Sequence, residues 1–128
     1  LGLRVDGYTG NELRLSAPLG PNVNDKGTAF AGSLNALMTL AGWGLVHLRL
    51  QEAGEDCDIV IHKGELAFTA PIRTPFQAVA ELEESDWDQC LSRLQSRGRG
   101  RILVATRSEA AGGTAATLAG QYVALRRS

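Results

Sequence analysis

The chain predicts an α+β domain in which an antiparallel sheet wraps one long central helix. Three observations carry this. Apolar residues recur at helical spacing through one long stretch only, Leu34, Leu37, Met38, Ala41, Leu45 and Leu48. The other segments are short, partly alternating and punctuated by Pro and Gly, as strands and turns are. And 128 residues lie within the roughly 100–200 of one domain, so helix and sheet must share a core across residues 1–128.

Taken in order, Leu3 to Tyr8 and Glu12 to Ala17 flank Thr9-Gly10-Asn11 and predict a β-hairpin. Pro18, Gly20 and Pro21 stop the second strand, because proline cannot donate to a ladder. A polar stretch, Asn22 to Ser33, leads into a helix from about Thr28 to Gln51 that is apolar almost all round and so is buried against the sheet. Gly42 and Gly44 each cost about 1 kcal/mol of helix propensity, which points to tight packing there. Gly54 is the expected stop. Asp58 to Ile72 and Phe76 to Trp87 predict strands, Asp88 to Gly100 a polar connection, and Ile102 to Glu109 with Thr114 to Arg126 a last pair around Ala111-Gly112-Gly113. With a single helix, most of the sheet must be antiparallel.

Composition narrows the function. With 44% apolar and 21% charged residues the chain is an ordinary globular protein, and its net charge of −1 gives no overall pull toward nucleic acid. Cys57 and Cys90 are far apart, which indicates neither a disulfide framework nor zinc, and a reducing cytoplasm is the expected location. His47 and His62 have no second ligand at metal spacing, so core or dimer-contact roles are expected and no metal. The longest apolar run, residues 34–46, falls short of the ~20 residues of a membrane span. The chain opens at Leu1, inside a predicted strand, so a trimmed start or a piece of a longer protein is expected.

The stretch before the helix carries the candidate chemistry. A helix N-terminus presents unpaired N–H groups and a positive pole, which suit an oxyanion, a carboxylate or a phosphate. Asn22 and Asn24 are equally Asx-turn formers, Thr28 and Ser33 equally caps, and Asp25 equally a charge complementing the dipole. Ser33 has no neighbouring histidine and makes a poor nucleophile.

The wording Asn22-x-Asn24-Asp25-Lys26-Gly27-Thr28-x-Phe30-Ala31-Gly32-Ser33-Leu34, followed by Gly42-Trp43-Gly44, resembles the hotdog-fold putative thioesterase family that also occurs fused behind an acetyltransferase-like domain. Glu65-Leu66-Ala67-Phe68-x-x-Pro71-Ile72, Arg97 to Arg101, and Gly120-Gln121-Tyr122-Val123-Ala124 extend the resemblance over nearly the whole chain. Ala31-Gly32 stands where a glycine pair is usual. The resemblance implies a homodimer with a continuous sheet. It also implies chemistry on an acyl thioester of acyl carrier protein or coenzyme A, with no cofactor beyond the phosphopantetheine that carries the substrate. Members have been linked to decarboxylation of malonyl-carrier protein to the acetyl form that primes fatty-acid synthesis; thioester hydrolysis is the alternative, and a non-catalytic thioester-binding module a third.

Hotdog thioesterases resemble one another in using a carboxylate in the loop or about two turns into the helix. Here that helix position falls near Thr39, no acid lies between Phe30 and Gln51, and Phe30 stands where many place a histidine. Only Asp25 is left for hydrolysis. Decarboxylation needs no strong base, only donors aimed at the thioester oxygen and surroundings that do not over-stabilise the departing carboxylate; the N–H groups near Ala31 and Gly32 and the Asn24 amide could supply the donors. Asn22, Thr28, Phe30, Ala31, Ser33 and Thr39 are then substrate contacts. Arg93, Arg97, Arg99 and Arg101 are either a solvated loop or a holder for the pantetheine or coenzyme phosphate or for an acidic carrier surface.

Overall fold

The path of the chain follows from one long apolar helix and the strands that must cover it. The computed structural model describes residues 3–17, 31–69, 76–110 and 113–127. β1 (Arg4–Tyr8) and β2 (Glu12–Ala17) form the expected hairpin. They are followed by α1 (Ala31–Glu52), β3 (Cys57–Phe68), β4 (Phe76–Glu81), α2 (Glu84–Arg97), β5 (Arg99–Ala110) and β6 (Gly113–Arg126). The strands make one antiparallel sheet in the order β1-β2-β4-β5-β6-β3. α1 lies against it, which is the hotdog architecture. No helix among the described residues is long and apolar enough to cross a membrane.

α2 corrects two expectations. The strand expected over Phe76–Trp87 stops at Glu81, and the expected polar connection is largely a helix. Its buried residues Trp87, Cys90 and Leu94 recur at helical spacing. Glu84 and Asp86 in the first turn and Arg97 in the last complement the dipole. Gly98 ends it at φ +79, a left-handed position that favours glycine, and its N–H donates to the Leu94 carbonyl at 2.8 Å.

The glycines of α1 are explained by contact. The Tyr122 ring packs so closely beneath Gly42 that a Cβ there would stand 2.3 Å from the phenol oxygen. The Tyr122 hydroxyl donates to the Thr39 carbonyl at 2.9 Å, and burial pushes the phenol up to about 12. Gly44 faces only the Leu13 side chain.

Arg49 fixes the other end of α1. Its guanidinium donates to both Glu84 oxygens (2.8 and 2.6 Å), to the Gly10 carbonyl (3.0 Å) and to Asn11 Oδ1 (2.9 Å), and stands 4.9 Å from the Trp87 ring centroid. α1, α2 and the hairpin turn are thereby joined, and Arg49 holds the Glu84 carboxyl below its ordinary range. Arg49 sits beside Asn11, Gly44 over Leu13 and Gly42 over Tyr122. The N-terminus of α1 therefore points toward the sheet end that holds Ala17, Phe76, Ser108 and Ala116.

β3 carries a bulge between Ile61 and Lys63, so His62 has no opposite number on β6. Ile59 and Ile61 pair with Ala124 and Tyr122, whereas Leu66 and Phe68 pair with Leu118 and Ala116. All four thus share the face turned toward α1 although their numbers change parity.

Candidate functional site

Three surfaces bear on function, beginning with the N-terminus of α1. Asn22, Asn24, Asp25, Thr28 and Phe30 lie outside the described residues. Of the predicted site residues that are described there, Ala31 is the first described residue of α1, and Gly32 is exposed with nothing among the described residues within 4 Å of where a Cβ would stand. Ser33 lies within the first turn rather than at a cap position. The first turn of α1 contains no acidic residue. The leading N–H groups of a helix have no partner within it, so this is a donor-presenting end. Thr39 stands two turns further on, half-buried, its carbonyl engaged by Tyr122 and its hydroxyl 3.4 Å from Asn35 Oδ1.

At the opposite end of the sheet, Arg93 and Arg97 of α2 converge with Arg99 and Arg101 of β5. Together with His62, Gly100 and Val123 they line a cleft of about 600 Å³. The convergence follows from local geometry: residues four apart share a helix face, and alternate residues share a strand face. Gly100 permits it, because a Cβ there would stand 2.3 Å from the Cys90 carbonyl oxygen. Arg101 and Ser108 are seven residues apart on β5, so about 23 Å at a rise of roughly 3.3 Å per residue separates this cleft from the sheet end under the α1 N-terminus. Within one chain the described residues Ala31, Gly32 and Ser33 are therefore not brought together with Arg97, Arg99 and Arg101.

The third surface is the β3 edge. Val60, Ile61, Leu66 and Phe68 are exposed there, and on α1 so are Leu40 and Trp43. The Trp43 and His47 rings stack with centroids 4.8 Å apart. Both line a second cleft, of about 790 Å³, that runs past Leu50 and Gly54 to Val60. Neither histidine is a core residue: His47 is half-buried and His62 exposed.

Sequence reasoning missed the union of His62 with the arginines, which depends on a long-range strand pairing. It also missed Thr106 and Ser108, whose buried hydroxyls find no hydrogen-bond partner among the described residues. Their only signal was polar residues at inward positions of an otherwise apolar strand.

A long helix against an antiparallel sheet, with a donor-bearing helix end, defines the hotdog class of proteins. The chain belongs to the family described as putative thioesterase (yiiD_Cterm), whose model matches residues 1–126. It is similar to a protein of unknown function from Chlorobaculum tepidum TLS, at 31% identity and a TM-score of 0.91 over 98% of this chain and 83% of that one. It is also similar to the putative thioesterase from Shewanella oneidensis, at 32% identity and a TM-score of 0.87 over 96% and 83% of the two chains. A probable thioesterase from Pseudomonas aeruginosa, at 21% identity and a TM-score of 0.83 over 98% and 84%, shares the fold.

Proposed function

We propose that this protein decarboxylates a malonyl thioester to the acetyl thioester. The carrying observation is the N-terminus of α1: Gly32 is exposed at the positive pole with no described residue against it, and the first turn holds no carboxylate. In the reaction the bond between the carboxylate carbon and the α-carbon breaks and carbon dioxide leaves. The electron pair passes through the α-carbon to the thioester oxygen as an enolate, and a solvent proton then completes the acetyl methyl group. The enolate oxygen needs donors, which the N–H groups near Ala31 and Gly32 and the Asn24 amide supply. A base for water is not needed, and a carboxylate beside the departing one would oppose its entry. Asn22, Thr28, Phe30, Ser33 and Thr39 then contact the substrate, and no cofactor takes part beyond the pantetheine arm.

The family's thioesterase description favours hydrolysis as the second reading. There Asp25, the one carboxylate of the loop, activates water. Intact-mass analysis of malonyl-acyl carrier protein after incubation separates the two. Loss of carbon dioxide alone establishes decarboxylation, and release of the bare carrier establishes hydrolysis. Under the first reading Asn24→Ala lowers turnover about 100- to 1000-fold, the usual loss for one oxyanion donor; wild-type turnover removes Asn24 from the mechanism.

The working unit in this proposal is a homodimer joined along β3. Among the described residues the twelve of this edge strand have no strand beside them on one side, and the apolar side chains of Ile61, Leu66, Phe68, Leu40 and Trp43 are exposed next to them. Antiparallel pairing of β3 with its copy sets the Cys57 end of one strand beside the Phe68 end of the other. It thereby brings the arginine cleft of one protomer to the same end of the sheet as its partner's α1 N-terminus.

A further inference from the structure

We infer that the arginine cleft at the C-terminal end of α2 is the docking surface for an acidic helix of a protein partner. Resting on the thioester reading, that partner is the carrier protein that delivers the acyl group. The first argument is how the arginines are sorted. Arg4, Arg14, Arg49, Arg107, Arg126 and Arg127 each have a carboxylate within salt-bridge distance. Among the described residues Arg93, Arg97, Arg99 and Arg101 have none, although all four are exposed and line one cleft. Among the described residues the arginines without a carboxylate partner are thus gathered at one place. Charge held unpaired on a surface steers an oppositely charged partner and sets its register.

The second argument is spacing. Arg93 and Arg97 lie one helical turn apart, about 6 Å along α2, and Arg99 and Arg101 about 6.6 Å apart along β5. The two rows match carboxylates repeated at i and i+4 along a facing helix. A small phosphorylated ligand fits this cleft less well. The ready-made site for a phosphate is a helix N-terminus, where free N–H groups converge. This cleft meets the C-terminus of α2, the negative pole, and the Gly98 N–H is already spent on Leu94. The guanidiniums reach past that pole to a surface, which suits a protein face better than a buried phosphate. In the β3-paired dimer a carrier docked here sits at the end of the sheet where the partner's α1 N-terminus lies, within reach of a flexible arm.

The test titrates holo-acyl carrier protein, bearing no acyl group, into this protein by calorimetry. Each paired substitution, Arg93→Gln with Arg97→Gln or Arg99→Gln with Arg101→Gln, is expected to weaken binding about tenfold and to flatten its salt dependence. Arg4→Gln, on the far edge of the sheet, leaves binding unchanged, and unchanged melting shows that the variants fold. Equal binding by wild type and both pairs, or no binding by wild type, overturns the inference. So does arginine-dependent binding of adenosine 3′,5′-bisphosphate or pyrophosphate in place of the carrier. Arginine-dependent carrier binding without any change in malonyl cargo sustains the docking surface and removes the proposed chemistry; decarboxylation at the same rate and carrier affinity in both paired variants does the reverse.

Discussion

Replacing Gly42 with alanine tests the seat that holds α1 on the sheet. In an exposed helix interior this change favours folding by about 1 kcal/mol. Here the new methyl would lie 2.3 Å from the Tyr122 hydroxyl oxygen, 2.6 Å from Cζ and 2.8 Å from Cε2, and the ring is fully buried with nowhere to retreat. Overpacking of this kind costs about 1–3 kcal/mol. Displacing the hydroxyl from the Thr39 carbonyl leaves buried polar groups unpaired, at about 1–3 kcal/mol more. Offsetting the propensity gain leaves a net loss of roughly 3 kcal/mol, which for a chain of this size lowers Tm by about 10 °C. Gly44→Ala is the control, since among the described residues its methyl meets only one terminal methyl of Leu13, at 2.9 Å, with no hydrogen bond to displace, and the propensity gain offsets most of the cost. The assay is thermal and urea unfolding followed by circular dichroism. A Gly42→Ala protein as stable as wild type, or a Gly44→Ala protein that loses as much, would refute the reasoning.

Two further outcomes follow from surfaces and burial. Light scattering of the wild type is expected to give twice the chain mass, and Ile61→Lys with Phe68→Lys, which put charge on the uncovered strip beside β3, is expected to give the monomer; a dimer that survives both places the interface elsewhere. Burial pushes the Cys90 thiol up to about 11, so at about pH 8 almost no thiolate is present. Iodoacetamide is therefore expected to modify half-buried Cys57 slowly and Cys90 only after unfolding, and equal labelling of both in the native protein would contradict the burial.

What the sequence made legible was what local periodicity encodes. The hairpin around Gly10, the apolar stretch of α1, and the packing role of Gly42 and Gly44 all rest on neighbours within a few residues. α2 was equally legible in principle, through Trp87, Cys90 and Leu94 at helical spacing with Gly98 behind them. It was obscured because the alternation of β4 reaches Leu82 with no turn signal before Trp87, and the outer face of α2 is charged. The arginines were visible as a group, but their meeting with His62 depends on β3 pairing with β6 about sixty residues away, which no local pattern states. The two buried hydroxyls of β5 are hidden for the same reason: alternation shows which way a side chain points, and only the assembled sheet shows whether water can follow it.

The bulge at His62 makes this position tolerant of two different kinds of change. Exchanging the side chain alters a surface, because the residue is exposed and unpaired across the ladder. Removing the residue would erase the bulge and leave the pairs the ladder already makes, Ile61 opposite Tyr122 and Lys63 opposite Gln121, so Leu66 and Phe68 would keep their face. Length here is therefore buffered by the bulge, as identity is by exposure. A library that varies residue 62 freely should retain folded members throughout, and a single codon deletion at the same place should fold as well.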